Sequence, residues 1–183
     1  MPKDSEIYLS YIEEIFGPAE LIKKHECPHG GPPVHVFVYR DVPEKGMITG
    51  ITYGLSTYAH PEWVNSRPEM IISVESDDEM WAWNAAYFCA EFRGEKRFSY
   101  GDVFTTEDPL TDDTKMDGLL IFPQSILDPE MQSVQLNDYK VHLSQFYPIH
   151  RSELDVYHRI GLERFWKHEG FGMYDPKRRP VQG

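Results

Sequence analysis

The sequence predicts an α+β domain: a mixed, mostly antiparallel β-sheet packed with helices in a single domain. Three observations carry that prediction. Apolar residues alternate with period two at Val34, Val36 and Val38, with His35, Phe37 and Tyr39 on the other face. Strand-like runs recur at 47–54, 69–75 and 118–122, while helical periodicity is confined to three separate segments. Strands clustered between a few helices give helices packed on a sheet rather than a doubly wound βα alternation.

The first helix is expected to begin at Asp4 or Ser5, either of which can cap free N–H groups. Tyr8, Ile12 and Ile15 then share one face, and Gly17-Pro18 stops the run. Residues 27–33, rich in Gly and Pro, read as a loop, and 59–68 as a second loop with two prolines. Asp77 or Asp78 is expected to cap a second helix running to Phe92, with Trp81, Ala85, Phe88 and Phe92 as its apolar stripe. A strand is expected over 103–106, and 134–136 with 139–146 read as a hairpin around Asn137-Asp138. Ser152-Glu153-Leu154-Asp155 resembles a capping box opening a last helix, with Leu154, Tyr157, Gly161 and Phe165 on its core face. Glycine inside a helix costs about 1 kcal/mol, so a close helix–sheet contact is the expected reason for Gly161.

At 183 residues the chain fits one domain, assigned to 1–170, and is long enough to bury a core without staples. Residues 171–183 are expected to form a flexible basic tail, Lys177-Arg178-Arg179 being its dense basic run. No apolar run reaches the roughly 20 residues of a membrane span, and the N-terminus shows no secretory pattern. Two cysteines, Cys27 and Cys89, make no disulfide framework, so a cytoplasmic setting is expected. A net charge of −12 disfavours direct nucleic-acid binding and suits a basic protein partner.

Catalytic and metal motifs are sparse. His25-x-Cys27-x-His29 offers three candidate ligands without an adjacent fourth, so a polar loop with an inert thiol is expected and no metal. Gly54-Leu55-Ser56 lacks the nucleophile elbow, Cys89 sits in an apolar helix, and His60-Pro61-Glu62 lacks the cysteine pair of a zinc deaminase. No phosphate loop or dinucleotide turn is present, so no cofactor is expected. Adjacent acids such as Asp77-Asp78-Glu79 and Asp112-Asp113 read as a solvated face rather than a glycosidase pair. An enzyme is not expected. A hydrolase using His35, His60 or an acidic pair is the alternative, and it requires a deep pocket joining those groups.

One ordered series of segments carries more information. It runs Gly50-Ile51-Thr52-Tyr53-Gly54-Leu55-Ser56, Arg67-Pro68-Glu69-Met70, Ala86-Tyr87-Phe88, Tyr100-Gly101-Asp102-Val103 and Leu119-Leu120. Leu127-Asp128-Pro129-Glu130-Met131-Gln132-Ser133-Val134-Gln135, Tyr147-Pro148-Ile149, Glu153-Leu154 and Gly161 complete it. In that order, over residues 34–165, the chain resembles the Suppressor of fused domain family.

The resemblance implies an α+β domain that binds protein rather than catalysing a reaction. In animal members this domain and a second, C-terminal domain clamp an extended segment of a Gli transcription factor. A Tyr late in the helix and an Asp after Gly line that clamp, matching Tyr87 and Asp102 here. The alternative is that Tyr87 simply packs and Asp102 anchors the turn after Gly101. The chain ends soon after its last expected helix, so no second clamp domain is expected. Small stand-alone members look bacterial, and the resemblance assigns many of them as immunity proteins that neutralise a cognate toxin. The expected partner is therefore a toxin domain, with Asp77, Asp78, Glu79, Asp108, Asp112 and Asp113 as an acidic rim. An adaptor that binds an extended regulatory peptide is the rival.

Overall fold

The computed structural model describes residues 1–183. In chain order the elements are α1 (Asp4–Phe16), β1 (Leu21–His25), β2 (Val34–Arg40), β3 (Ile48–Tyr53), β4 (Arg67–Val74) and α2 (Met80–Phe92). There follow β5 (Val103–Thr105), β6 (Gly118–Pro123), β7 (Ser133–Gln135), β8 (Lys140–Ile149), α3 (Leu154–Ile160) and α4 (Leu162–Trp166).

All eight strands join one sheet in the order β1-β2-β3-β4-β8-β6-β5, with β7 paired to the start of β8. Only β4 and β8 run parallel, Arg67 facing Val141 and Ile72 facing Phe146; every other pair is antiparallel. The predicted mixed, mostly antiparallel architecture is therefore the observed one.

Helices cover both faces. Trp81, Ala82, Ala85, Phe88 and Cys89 of α2 pack against Val36, Ile48, Ile72 and Phe146 on one face. Tyr8 and Ile12 of α1 pack against Phe37, Ile51, Ile71 and Leu143 on the other. The same face continues past Tyr147 and Ile149, where Val156 of α3 and Phe165 of α4 cover it. Period-two alternation along β8 explains how one strand serves both layers.

The structure departs from the sequence reading at several points. Asp4 and Ser5 are the first two helical residues of α1 rather than its cap. Lys3 caps α1, its amide donating to Glu6 Oε2 at 2.8 Å, while the Asp4 carboxylate accepts from Asn137 N at 3.0 Å and Nδ2 at 2.8 Å. That bond ties α1 to the β7–β8 turn. β1 had no expectation at all: Leu21-Ile22-Lys23-Lys24-His25 carries two lysines, as suits an edge strand guarded against further pairing.

The last helix is two helices. Gly161 has φ +80° and an ideal Cβ there would meet nothing within 4 Å, so its glycine serves backbone conformation, not close packing on the sheet. The capping bond lies one turn earlier, His150 N donating to Glu153 Oε2 at 2.8 Å. Finally, residues 171–183 are not a frayed tail. Phe171 and Val181 are buried with Leu120, Tyr147 and Phe165, and Arg178 is buried beside Glu153.

Candidate functional site

The Gly50–Ser56 and Arg67–Met70 segments are brought together by one side chain. Glu69 is 0% exposed, and its carboxylate accepts from Gly54 N at 2.8 Å, Ser56 N at 2.9 Å, Ser56 Oγ at 2.7 Å and Thr52 Oγ1 at 2.7 Å. Met70 N donates to Thr52 Oγ1 at 2.9 Å, so this side chain stands in for a ladder bond where β3 and β4 diverge. Arg67 Nη1 reaches Ser56 O at 3.0 Å while its guanidinium lies 3.8 Å from the Tyr139 ring centroid. Arg93, at the end of α2, donates to Gly54 O at 2.9 Å and Gly30 O at 3.1 Å. Burial pushes the Glu69 carboxyl up, against the lowering effect of its hydrogen bonds from Ser56, Thr52 and Gly54. This knot is structural: nothing in it opens to a ligand.

The acidic segments divide into held and free groups. Ser76 Oγ donates to Asp113 Oδ2 at 2.7 Å and accepts from Asp78 N at 3.1 Å, which brings 77–79 and 112–113 onto one surface. Asp78 Oδ1 accepts from Met80 N at 2.9 Å just before α2, whose N-cap residue is Glu79 rather than the expected Asp77 or Asp78. Glu79 is paired with Lys23 at 2.8 Å and Arg40 at 2.7 Å, which hold its carboxyl below the ordinary range. Burial alone would raise Asp113, but bonds from Thr111 and Ser76 outweigh it and leave the carboxyl low. The Trp81 indole N–H adds to that field yet finds no partner within hydrogen-bond distance. Asp77, Asp108 and Asp112 remain exposed and unpaired.

Tyr87 and Asp102 do not meet. The Tyr87 ring packs edge-on against His25 at 5.3 Å and Phe88 at 5.3 Å, on the side of β1. Asp102 Oδ2 accepts from Ser99 N at 2.8 Å beside β5, at the opposite end of the sheet. The phenol beside Asp102 is Tyr157 of α3, whose hydroxyl donates to Gly101 O at 3.0 Å. Burial, then the Asp102 charge, push the Tyr157 phenol up. Gly101 has φ +91°, and a Cβ there would stand 3.0 Å from the Tyr157 hydroxyl, so this corner requires glycine twice over.

The candidate chemistry of the loops is dispersed. His25 packs edge-on against Trp83 at 5.1 Å as well as Tyr87, and Cys27 Sγ donates to Pro32 O at 3.4 Å. No group of three or more His, Cys, Asp and Glu is placed to hold a metal ion. His35 lies on β2 opposite Lys24 and Tyr53, and His60 Nδ1 accepts from Glu62 N at 3.2 Å, closing a turn. Burial raises Cys89 well above the ordinary thiol range.

Sequence reasoning missed two constellations. Ser66 Oγ lies 2.8 Å from His142 Nδ1 across the start of the parallel β4–β8 pair, in a cleft of about 530 Å³. Seventy-six positions separate the pair, so only the sheet register reveals it. The other is the anchor of the chain's end. Arg178 Nη1 and Nη2 fork onto the Glu153 carboxylate, Nη2 at 2.9 Å from Oε2, and Val181 N donates to Oε1 at 2.6 Å. Glu153 is 0% and Arg178 9% exposed. The Phe171 ring lies 4.8 Å under the guanidinium.

These groups sit on a mixed-sheet α+β domain with buried polar knots and no assembled nucleophile–base–acid set. No helix is long and apolar enough to cross a membrane. The family model for Suppressor of fused protein (SUFU) matches residues 30–179, and the chain belongs to that family. Solved structures agree at the level of fold. A SUFU homolog from Neisseria gonorrhoeae matches with TM-score 0.73 at 15% identity, over 97% of both chains. The chain of a Sufu–Fu complex matches with TM-score 0.65 at 15% identity, over 97% of this chain and 91% of that one. Drosophila Suppressor of Fused matches with TM-score 0.66 at 14% identity, over 97% of this chain and 51% of that one. No curated protein matches the chain.

Proposed function

We propose that this SUFU-family chain is a non-catalytic, cytoplasmic protein-binding domain, and that its partner is a basic toxin domain which it neutralises as an immunity protein. The observation that supports the reading is the joined acidic surface, where Ser76 links the 77–79 segment to Asp113 and leaves Asp77 and Asp112 free. Paired acids there hold shape; free acids set the encounter rate with a positive partner. The mechanism is occlusion by a preformed face, with affinity carried by a few anchors and the acidic rim steering approach.

The test is association with candidate basic toxin domains at low and high salt, using the wild type and an Asp77→Asn, Asp108→Asn, Asp112→Asn triple variant. The reading requires a complex whose association rate falls in the triple variant and whose salt dependence flattens. No complex at any salt concentration would sink it.

A second reading is an adaptor that takes an extended regulatory peptide. It is favoured by the unpaired outer edge of β5, next to Asp102 and Tyr157, where a strand can add. The Sufu–Fu complex also shows a structural neighbour engaged with a partner. Retention of a short linear motif on a peptide array supports the adaptor, whereas a requirement for a folded partner supports immunity.

A further inference from the structure

We propose that the cleft between the β4–β8 floor and the α2–β5 connection is an oxyanion-binding subsite, taking a carboxylate or phosphate group. None of its thirteen lining residues is Asp or Glu, although the chain carries 30 acidic residues against 18 basic ones. Its charged residues are Arg97 and Lys140, both exposed. Lys140 takes part in no salt bridge, and Arg97 has only a long 3.5 Å contact with Glu62, outside the lining. Hydroxyl and amide donors complete the wall: Ser66, Ser99, Ser133, Tyr100, Asn65 and Gln132.

The cleft is built, not incidental. Trp63 Nε1 donates to Arg97 O at 2.7 Å and fixes the backbone that carries the guanidinium. Phe98, buried against Phe104 and Phe146, anchors the next residue of the same connection. Ser66 and His142 bond across the floor at 2.8 Å. Burial, then the Lys140 charge, hold the His142 imidazole below its ordinary range, so at neutral pH it is an uncharged hydrogen-bonding group. No carboxylate lines the cleft to orient that imidazole as a base, so the pair reads as part of a binding surface rather than a nucleophilic dyad.

An oxyanion fits this chemistry. Charge-assisted bonds from a guanidinium and an ammonium are the strong ones, and a concave wall of hydroxyls fixes orientation. The net charge of −12 disfavours anions over much of the surface, whereas this cleft carries two cations and no carboxylate. A bound anion opposes the effect of Lys140 and raises the pKa of His142, which gives a local signal.

The experiment titrates the full chain with inorganic phosphate, and separately with an Asp-rich peptide and its Asn counterpart, while the His142 ring signals are followed by NMR. The expected result is a saturable His142 shift and a raised His142 pKa, with affinity falling roughly ten-fold in Arg97→Gln and again in Lys140→Gln. Both side chains are exposed, and thermal melts check that the variants remain folded. Binding of the Asp peptide but not its Asn counterpart assigns the oxyanion to a partner's side chain; saturation by phosphate alone assigns it to a free anion. Either supports the site. No saturable His142 shift with any probe, or undiminished affinity in the double variant, overturns it. No toxin or adaptor partner enters the measurement, so the outcome is independent of those readings.

Discussion

Glu69 grips Ser56 twice, through the amide at 2.9 Å and the hydroxyl at 2.7 Å, and so locks the β3–β4 connection to the sheet. Glu69→Ala leaves the Gly54 and Ser56 amides buried without an acceptor, each at about 1–3 kcal/mol. The expected loss is on the order of 3 kcal/mol or more, read as a shifted urea midpoint at unchanged slope. Glu69→Gln keeps an acceptor oxygen for both amides, so its loss is expected to be well under half as large.

The same residue sets a pH dependence. Its carboxyl is raised from an ordinary value of 4.5 by burial, so the folded state holds the proton more tightly than the unfolded state. Its contribution is fully present below the unfolded value and is lost as pH rises through the folded one. Wild type should therefore lose stability relative to Glu69→Gln as pH climbs above about 4.5. Urea titrations of both proteins across that range check the sign; parallel curves would contradict it.

Gly50 is a matter of space. A Cβ there would lie 2.6 Å from Ala82 Cβ and 2.8 Å from Ala82 Cα, so α2 rests directly on the β3 backbone. Gly50→Ala forces the helix away from the sheet, at about 1–3 kcal/mol for overpacking. Ala82→Gly in the same chain relieves only the contact to Cβ, so the double variant is expected to recover a part of that loss. A thermal melt of the four-member cycle measures the coupling.

Much of the fold was legible because strands buried on two faces read as short, nearly continuous apolar runs. Val34–Arg40, Ile48–Tyr53 and Arg67–Val74 are such strands, and the Leu136–Tyr139 turn was marked by Asn137-Asp138. β1 was not legible, because Lys23 and Lys24 hide its strand character where only one edge is paired. Gly161 was misread because a helical stripe continues past it in sequence while the backbone turns to φ +80°. The site was less legible still. Tyr87 and Asp102 are near neighbours in a motif order but lie at opposite sheet edges, and Tyr157 reaches Asp102 only through the fold of α3.

The end of the chain tests how far charge can mislead. Lys177-Arg178-Arg179 looks solvated, yet Arg178 is buried in a forked bond to Glu153. Arg178→Ala strands the Glu153 carboxylate and is expected to cost about 3–5 kcal/mol, the loss of one partner from a buried pair. Arg178→Lys rescues little, since an ammonium cannot reproduce the two-pronged geometry. Chemical denaturation gives the cost. Limited proteolysis gives the location: cleavage within 171–183 is expected to accelerate in Arg178→Ala before the remainder of the chain becomes sensitive.

Asp102 separates turn-building from recognition. Asn at this position keeps an acceptor for Ser99 N, which Asp102 Oδ2 now binds at 2.8 Å, and removes only the charge. Asp102→Asn is therefore expected to melt within about 0.5 kcal/mol of the wild type. It should also bring the Tyr157 phenol back toward its ordinary range, because the Asp102 charge is one of the two influences that raise it. Ultraviolet titration of the phenols, with Tyr157→Phe as the control, reads that shift. If an extended partner adds along β5, Asp102→Asn weakens its binding while the fold stays intact; the converse, full binding with a damaged melt, would leave Asp102 as the anchor of the Gly101 turn and nothing more.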